Sequence, residues 1–358
     1  MRVIITAGGT GGHIYPALAI LKKIEEKEPD SEFLYIGTHN RMEKDIVPNE
    51  GYRYEALEIY GFSKTMIKRD LQNIGLIIKA YKKCLNLIKE FKPDIVIGVG
   101  GYVTFPVIMA ANKLGIKTFI HEQNSIPGKS NKALAKKVSM IGVSFEDSKK
   151  YFDPKKTYLT GNPCAENAID VSPISKSKYG LDSKKKSVLI VQGSLGSKVM
   201  NNKMLSFLQS INDEPYEVLY VTGKDYYEEF SKNTFSPNVK VVPYVNNLNA
   251  LMKNMDLIVT RAGASITSEI MALAIPSIFI PSPYVANNHQ YYNALSIKNG
   301  KAGEMIEEKD LTSDLLKEKI NYILNDEKVY KEMQYNLNEM SINNSSTMIY
   351  NLIKNLLR

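Results

Sequence analysis

Short runs of apolar, mostly β-branched residues recur along the chain, with stretches of helical amphipathic spacing between them. The first half carries "RVIIT" from Arg2, "EFLYIG" from Glu32, "DIVIGVG" from Asp94, "KTFIHE" from Lys117 and "VSMIGVS" from Val138. Runs without polar alternation suit strands covered on both faces, and their alternation with helices is the βαβ rhythm of a parallel sheet. A Lys- and Ser-rich stretch from Ser172 to Lys186 interrupts the rhythm, which restarts at "SVLIVQGSLGS" and continues through "EVLYVTG", "VKVVPYV", "DLIVTRAG" and "PSIFIPS". The pattern predicts an α/β chain of two doubly wound parallel-sheet domains, 1–162 and 163–340, that meet near "TGNP", Thr160 to Pro163, where Gly and Pro break the periodicity. Helical stretches from Leu311 onward close the second domain.

Between Gly61 and Phe91 the spacing predicts one long helix, with Ile67, Leu71, Ile74, Ile78, Tyr81, Leu85 and Ile88 forming a core-facing stripe. That stripe leaves over Phe62, Met66 and Leu76 beside Lys64, Lys68, Arg69, Lys79, Lys82 and Lys83, a mixture suited to reversible attachment on an anionic membrane surface.

Composition narrows the class. A chain of 358 residues with 44% hydrophobic and 23% charged residues is long enough for two globular cores. Cys84 and Cys164 stand alone, without Cys-x-x-Cys or zinc-like His spacing, so neither a disulfide framework nor a structural metal is expected and a reducing cytoplasm fits. The opening "MRVIITAGG" is shorter than a signal-peptide core, and no segment reaches the roughly 18 apolar residues of a membrane span. The net charge of +8 suits anionic partners, but Lys-rich solvated faces account for it equally, and no nucleic-acid partner is expected.

The densest chemistry lies in glycine turns between strand and helix, where bare backbone N–H groups and a positive helix end suit phosphate. The first reads Gly8-Gly9-Thr10-Gly11-Gly12-His13. No register of it gives Gly-x-Gly-x-x-Gly, and the second strand ends in Gly37 and Thr38 rather than an acid, which argues against a dinucleotide site. No P-loop pattern occurs. "GVGGYVTFP" (Gly98 to Pro106) and "QGSLGS" (Gln192 to Ser197) repeat the arrangement, and "VTRAGASITSE" offers the amides of Gly263, Ala264, Ser265 and Ile266 with Thr267, Ser268 and Glu269 following. Each turn alone is explained by close packing of helix on strand. Together they suggest a diphosphate gripped between two domains.

"AGGTGGHIYP", "GVGGYV", "HEQNSIPG", "TGNP", "GSLGS", "RAGASITSE" and "NHQYYNA" follow one another in the order found in the MurG family of bacterial peptidoglycan N-acetylglucosaminyltransferases, and the chain resembles that family over essentially its whole length. The resemblance implies a GT-B fold of the glycosyltransferase family 28 kind, two Rossmann-like domains facing a cleft. Domain 163–340 would bind UDP-GlcNAc, and domain 1–162, completed by the last helix within 341–358, would face the lipid acceptor and the membrane. The implied reaction is inverting transfer of GlcNAc to the MurNAc 4-hydroxyl of undecaprenyl-linked lipid I, giving β-1,4-linked lipid II at the cytoplasmic face of the cell membrane. Other cell-wall synthesis proteins are the implied partners. UDP-GlcNAc 2-epimerases and other UDP-sugar GT-B enzymes share the architecture and form the alternative.

Carried over by motif, the resemblance gives Glu269 the ribose hydroxyls, the backbone of Val245 the uracil edge, and Ser194 with the amides from Ala264 to Ile266 the diphosphate. Thr267 and Ser268 lie beside that cradle. Gln290 would bond GlcNAc hydroxyls, with Asn124, Thr10, Gly11 and Gly12 on the sugar-facing side. Similar enzymes carry an arginine at or just after the residue following "GNP", where this chain reads Cys164-Ala165-Glu166, so Arg261 and Lys198 are the candidate replacements. Gln192 stands where a glycine is common. Inversion needs a base for the acceptor hydroxyl and a stabiliser for the departing UDP. His13, inside the first glycine turn, is the expected base, with His121 and Glu122 placed to orient or replace it and Tyr102 to position the acceptor; His39 and His289 have weaker claims. No Asp-x-Asp occurs, so helix ends are expected to do the work of a metal, and no metal or cofactor is expected.

Overall fold

The computed structural model describes residues 1–61, 67–193 and 196–358, with the side chains of 67–72 also left undescribed. The chain forms two compact units, Met1–Cys164 with Asn344–Arg358, and Ala165–Asn343.

In the first unit the strands are β1 (Arg2–Ala7), β2 (Glu32–Thr38), β3 (Tyr54–Leu57), β4 (Ile95–Gly100), β5 (Lys117–Glu122), β6 (Met140–Val143) and β7 (Thr157–Leu159). Among the described residues they form one sheet of order β3-β2-β1-β4-β5-β6-β7, parallel throughout. The central strands are buried along nearly their whole length because helices cover both faces. One face packs Leu34, Val96 and Ile120 against the helices Ile67–Phe91 and Thr104–Lys113. The other packs Val3, Ile5, Tyr35 and Ile97 against the helix Gly11–Lys27 and against Ile349 and Ile353 of the helix Ser345–Leu357. The returning helix is also tied by Glu28, whose Oε1 accepts from Tyr350 Oη at 3.0 Å and Lys354 Nζ at 2.6 Å. The Lys354 ammonium holds the Glu28 carboxyl below its ordinary range.

The second unit repeats the plan with β8 (Lys186–Val191), β9 (Tyr216–Val221), β10 (Val239–Val242), β11 (Leu257–Thr260), β12 (Ser277–Phe279) and β13 (Glu304–Met305), ordered β10-β9-β8-β11-β12-β13 and again parallel. Its core joins Val188, Ile190, Val218 and Val259 to Phe207, Ile320 and Met333 of the flanking helices. In each sheet the connections leave the first strand in opposite directions, so adjacent strand-to-helix turns diverge at the carboxyl ends of β1 and β4, and of β8 and β11. Such a switch point is where an open α/β sheet makes room for a ligand.

Three strands carried no apolar run in the sequence, β3, β7 and β13. All are sheet edges of two to four residues, and only Leu57 in β3 and Thr157 in β7 are buried. The long helix corrects the expected face in part: Tyr81, Leu85 and Ile88 lie toward the core as expected, and the side chains of Ile67 and Leu71 lie outside the described ones. Its buried apolar residues among those described are Ala80, Cys84, Leu87, Ile88 and Phe91, with Leu76, Ile77, Tyr81 and Leu85 packed beside them. Ile74 and Ile78, expected in the core, are 49% and 53% exposed, whereas Leu76, expected at a membrane, packs on the core. The small Ala80 and Cys84 lie in the buried cluster, and an apolar count gives such residues little weight. Lys79 is exposed, and Phe62 and Met66 lie outside the described residues.

Candidate active site

The turns after β1 and β4 share one space. Gly8 N–H donates to the Gly100 carbonyl at 3.3 Å, and Thr104 Oγ1 donates to the same oxygen at 2.8 Å. Gly100 (φ +110°) and Gly101 (φ +85°) both hold left-handed backbone. A Cβ on Gly100 would lie 2.6 Å from His13 Cδ2, and one on Gly101 would collide with the Gly8 carbonyl oxygen. Bare backbone is therefore required for packing. His13, half-buried in the first turn of its helix, places Nδ1 3.1 Å from the Gly8 carbonyl. A carbonyl only accepts, so Nδ1 carries the proton and Nε2 is the basic nitrogen of the neutral ring. Thr10 and Gly12 are exposed on the same turn, Gly11 is half-buried, and Tyr102 packs partly on the apolar cluster beneath it.

Glu43, which sequence reasoning missed, is fully buried under this turn. Its Oε1 accepts from Thr38 N–H at 3.1 Å and Thr38 Oγ1 at 2.5 Å, and its Oε2 from Gly9 N–H at 3.2 Å. An acid opening the short helix Glu43–Asn49 after β2, in "EKDIVPN", gave no motif to find it by. Glu122 is likewise occupied. It accepts from Asn124 N–H (3.0 Å), Asn124 Nδ2 (3.2 Å), Gly128 N–H (3.0 Å) and Asn131 Nδ2 (2.8 Å). A carboxylate with four donors holds the turn "HEQNSIPG" in shape; of the two expected roles, to orient or to replace His13, this occupancy speaks against the second. His121 is corrected as well. Its Nε2 donates to the Gly161 carbonyl at 2.9 Å, its Nδ1 lies 3.0 Å from Gln123 Nε2, and burial lowers its pKa to about 4. His39 bonds the Leu57 carbonyl and Tyr60, and His289 the Ala286 carbonyl.

In the second unit a pocket of about 350 Å³ opens at the carboxyl ends of β8 and β11, where Val191 pairs with Thr260. Gln192, Gly196, Arg261, Gly263, Ile266 and Gln290 are among its lining residues. The helix Ala264–Leu273 starts in its wall, with Gly263 at the cap position and no side chain capping it. The first-turn amides are thus presented to the pocket side with a positive helix end. Gln290 Oε1 accepts from Ser282 N–H at 2.8 Å, which fixes the carboxamide's orientation. Thr267 and Ser268 are corrected, because both are buried beneath the turn and Ser268 Oγ donates to the Ala264 carbonyl at 2.9 Å. Arg261 is no free cation. Its guanidinium pairs with Glu308 at 2.5 Å and donates to the Ile280 carbonyl at 3.0 Å. Lys198 is exposed, and Ser194 lies outside the described residues. Gln192 is buried with both amide atoms unpaired among the described residues.

Val245 is buried in the turn after β10. Glu269 is half-buried with one long bond, from Asn249 Nδ2 at 3.4 Å. Desolvation outweighs that bond and raises its pKa to about 7. Among the described residues no group of three or more His, Cys, Asp or Glu is placed to hold a metal ion.

Two units with the strand order of doubly wound sheets, each gathering its glycine and polar residues at the carboxyl ends of its strands, define a tandem Rossmann-like protein. Residues 3–143 match the glycosyltransferase family 28 N-terminal domain and residues 187–349 the family's C-terminal domain, and the chain belongs to glycosyltransferase family 28. It is 40% identical over 99% of both chains to the UDP-N-acetylglucosamine–N-acetylmuramyl-(pentapeptide) pyrophosphoryl-undecaprenol N-acetylglucosamine transferase of Pediococcus pentosaceus. It is 41% identical, at the same coverage, to the enzyme of that name from Bacillus licheniformis. Its fold is similar to the crystal structure of Acinetobacter baumannii MurG, with TM-score 0.79, 24% identity and 99% of each chain covered.

Two stability predictions follow from this geometry. Gly101→Ala should destabilise the first unit by about 2–4 kcal/mol in denaturant titration, combining left-handed strain with a steric collision. Glu269 binds its proton more tightly folded than unfolded, so it favours the fold fully below pH 4.5 and loses that contribution as pH rises through about 7. Glu269→Gln should therefore gain stability relative to wild type between pH 5 and pH 8; a difference that is flat with pH would refute the assignment.

Proposed function

We propose that the chain transfers N-acetylglucosamine from UDP-GlcNAc to the 4-hydroxyl of the MurNAc unit of undecaprenyl-linked lipid I, forming lipid II in peptidoglycan synthesis. The observation that carries this reading is the 40% identity over 99% of both chains to a transferase so named. An α-linked donor and a β-1,4 product require direct displacement with inversion. His13 Nε2 takes the hydroxyl proton as the new bond forms, and Nδ1–H stays on the Gly8 carbonyl, which holds the ring in register. The departing diphosphate is stabilised by amides at the start of the helix Ala264–Leu273, and Gln290, oriented by Ser282, contacts the sugar. Glu269 accepts the ribose hydroxyls in its ionised form. Tyr102 positions the acceptor and Asn124 lies on the sugar-facing side, with Glu122 holding the Asn124 turn. No metal is assigned to this step.

The acceptor is a lipid, so the enzyme works as a peripheral protein on the anionic cytoplasmic leaflet. No helix among the described residues is long and apolar enough to cross a membrane. The exposed Ile74 and Ile78, one helical turn apart, with exposed Lys79 and Lys82 beside them, supply apolar insertion and cationic attraction on one face.

The test is UDP release from UDP-GlcNAc with and without a lipid I analogue in the presence of chelator. Acceptor-dependent release that survives chelation is expected, with His13→Ala slower by about 10²–10⁴. Release without acceptor, or an epimerised sugar nucleotide, would remove the transferase reading. On vesicles, Ile74→Ser with Ile78→Ser should weaken partitioning by about tenfold or more, and raised salt should weaken the wild type on anionic but not neutral lipid.

A further inference from the structure

The Gly9 N–H that Glu43 holds and the Gly8 carbonyl that His13 holds belong to one peptide group. Reading outward, Glu43 Oε2 accepts from Gly9 N–H at 3.2 Å, and the carbonyl at the other side of the same amide accepts from His13 Nδ1–H at 3.1 Å. Glu43 is fully buried, with Thr38 N–H and Oγ1–H on its other oxygen. A negative charge on the N–H side polarises an amide and makes its carbonyl oxygen a stronger acceptor, and hydrogen bonds in such a chain reinforce one another at low dielectric. We propose that Glu43 is a positioning residue that acts on His13 through the Gly8–Gly9 peptide, raising the basicity of Nε2 and stabilising the imidazolium formed when His13 takes the acceptor proton. The inference rests on the reading of His13 as the base.

The step balances without a second proton transfer. The hydroxyl proton moves to Nε2, the oxygen's electron pair forms the new glycosidic bond, and the bond to UDP breaks with its electrons on the diphosphate. Nδ1–H remains on the Gly8 carbonyl, and Glu43 keeps its bonds from Gly9 N–H and Thr38. A carboxylate supports the charged ring, as in histidine–carboxylate dyads, with a backbone amide interposed.

Among the described residues, four other ionisable groups lie around this chain. Tyr35 and Tyr54, which face Glu43, are pushed well above their ordinary values, chiefly by burial. Tyr54 Oη donates to the Thr38 carbonyl at 2.6 Å, and Asp45, on the helix that carries Glu43, lies on the Tyr54 side. Tyr102 follows Gly101 in the adjoining turn. Asp45 is present in every variant below, so it does not alter the comparison.

The experiment follows the His13 ring and the Gly9 amide by NMR in the full-length protein, with His13→Ala for assignment, beside the pH profile of acceptor-dependent UDP release. Glu43→Gln should lower the His13 pKa by about one unit. The acid limb of the rate profile should move to lower pH by the same amount while the plateau falls. Glu43→Asp, which keeps the charge, should restore the limb even where it leaves the plateau low. In the wild type the Gly9 N–H resonance should move in step with the His13 titration, a reading that needs no variant to fold. A Gly9 resonance that is flat through that titration, or a folded Glu43→Gln with the wild-type limb, overturns the proposal. Full activity in His13→Ala would instead remove the base assignment on which it rests.

Discussion

The first unit's site depends on how closely two backbones approach at the Gly8 carbonyl. That oxygen accepts the His13 ring proton, and a side chain at Gly101 would strike it, so the turn after β4 can pass only as bare backbone. The parallel order of β1 and β4 brings both turns to one end of the sheet, and Gly8 N–H and the Gly100 carbonyl then close the gap between them. Glycine is used here less for flexibility than for thinness. Once both turns are pinned, the imidazole has one tautomer and one direction.

Carboxylates play a consistent part in both units. Glu43 and Glu122 spend every oxygen on N–H and O–H donors of neighbouring turns, and Glu308 neutralises Arg261 inside the second unit. Each converts an irregular stretch into a rigid one by satisfying donors that would otherwise be buried unpaired. Glu269 is the exception, with a single long bond and a pKa lifted toward neutrality by desolvation. A carboxyl left under-occupied in this way has acceptor capacity in reserve. Arg261 shows the complementary point, since a cation conspicuous in the sequence is cancelled by a partner 47 residues away.

The central strands were legible because burial on both faces writes an uninterrupted apolar run, and the glycine turns because left-handed backbone favours one residue type. β3, β7 and β13 were not, since an edge strand of a few half-exposed residues leaves no such run. The long helix was legible as a helix, and its last turns as a core-facing stripe through Tyr81, Leu85 and Ile88, but its middle was misassigned. Ala80 and Cys84 set the buried face, and Ile74 and Ile78, counted as core by hydrophobicity alone, lie outside it. His13 could be singled out by its place in a turn, and the motif order of a known family supplied the rest. Glu43 and the Glu308 partner of Arg261 express their roles through contacts 34 and 47 residues away, which local pattern does not encode; Glu122 stands in a recognisable motif, but its four donors show only in the folded turn.

The helix Ser345–Leu357 belongs to the first unit although the whole second unit, Ala165 to Asn343, intervenes. During synthesis the helix Gly11–Lys27 therefore emerges long before the residues that cover part of its apolar face. The second unit is contiguous and can fold as it leaves the ribosome, whereas the first must wait for Ile349 and Ile353 before its core is closed. The unit begun first is thus the one whose residues are completed last.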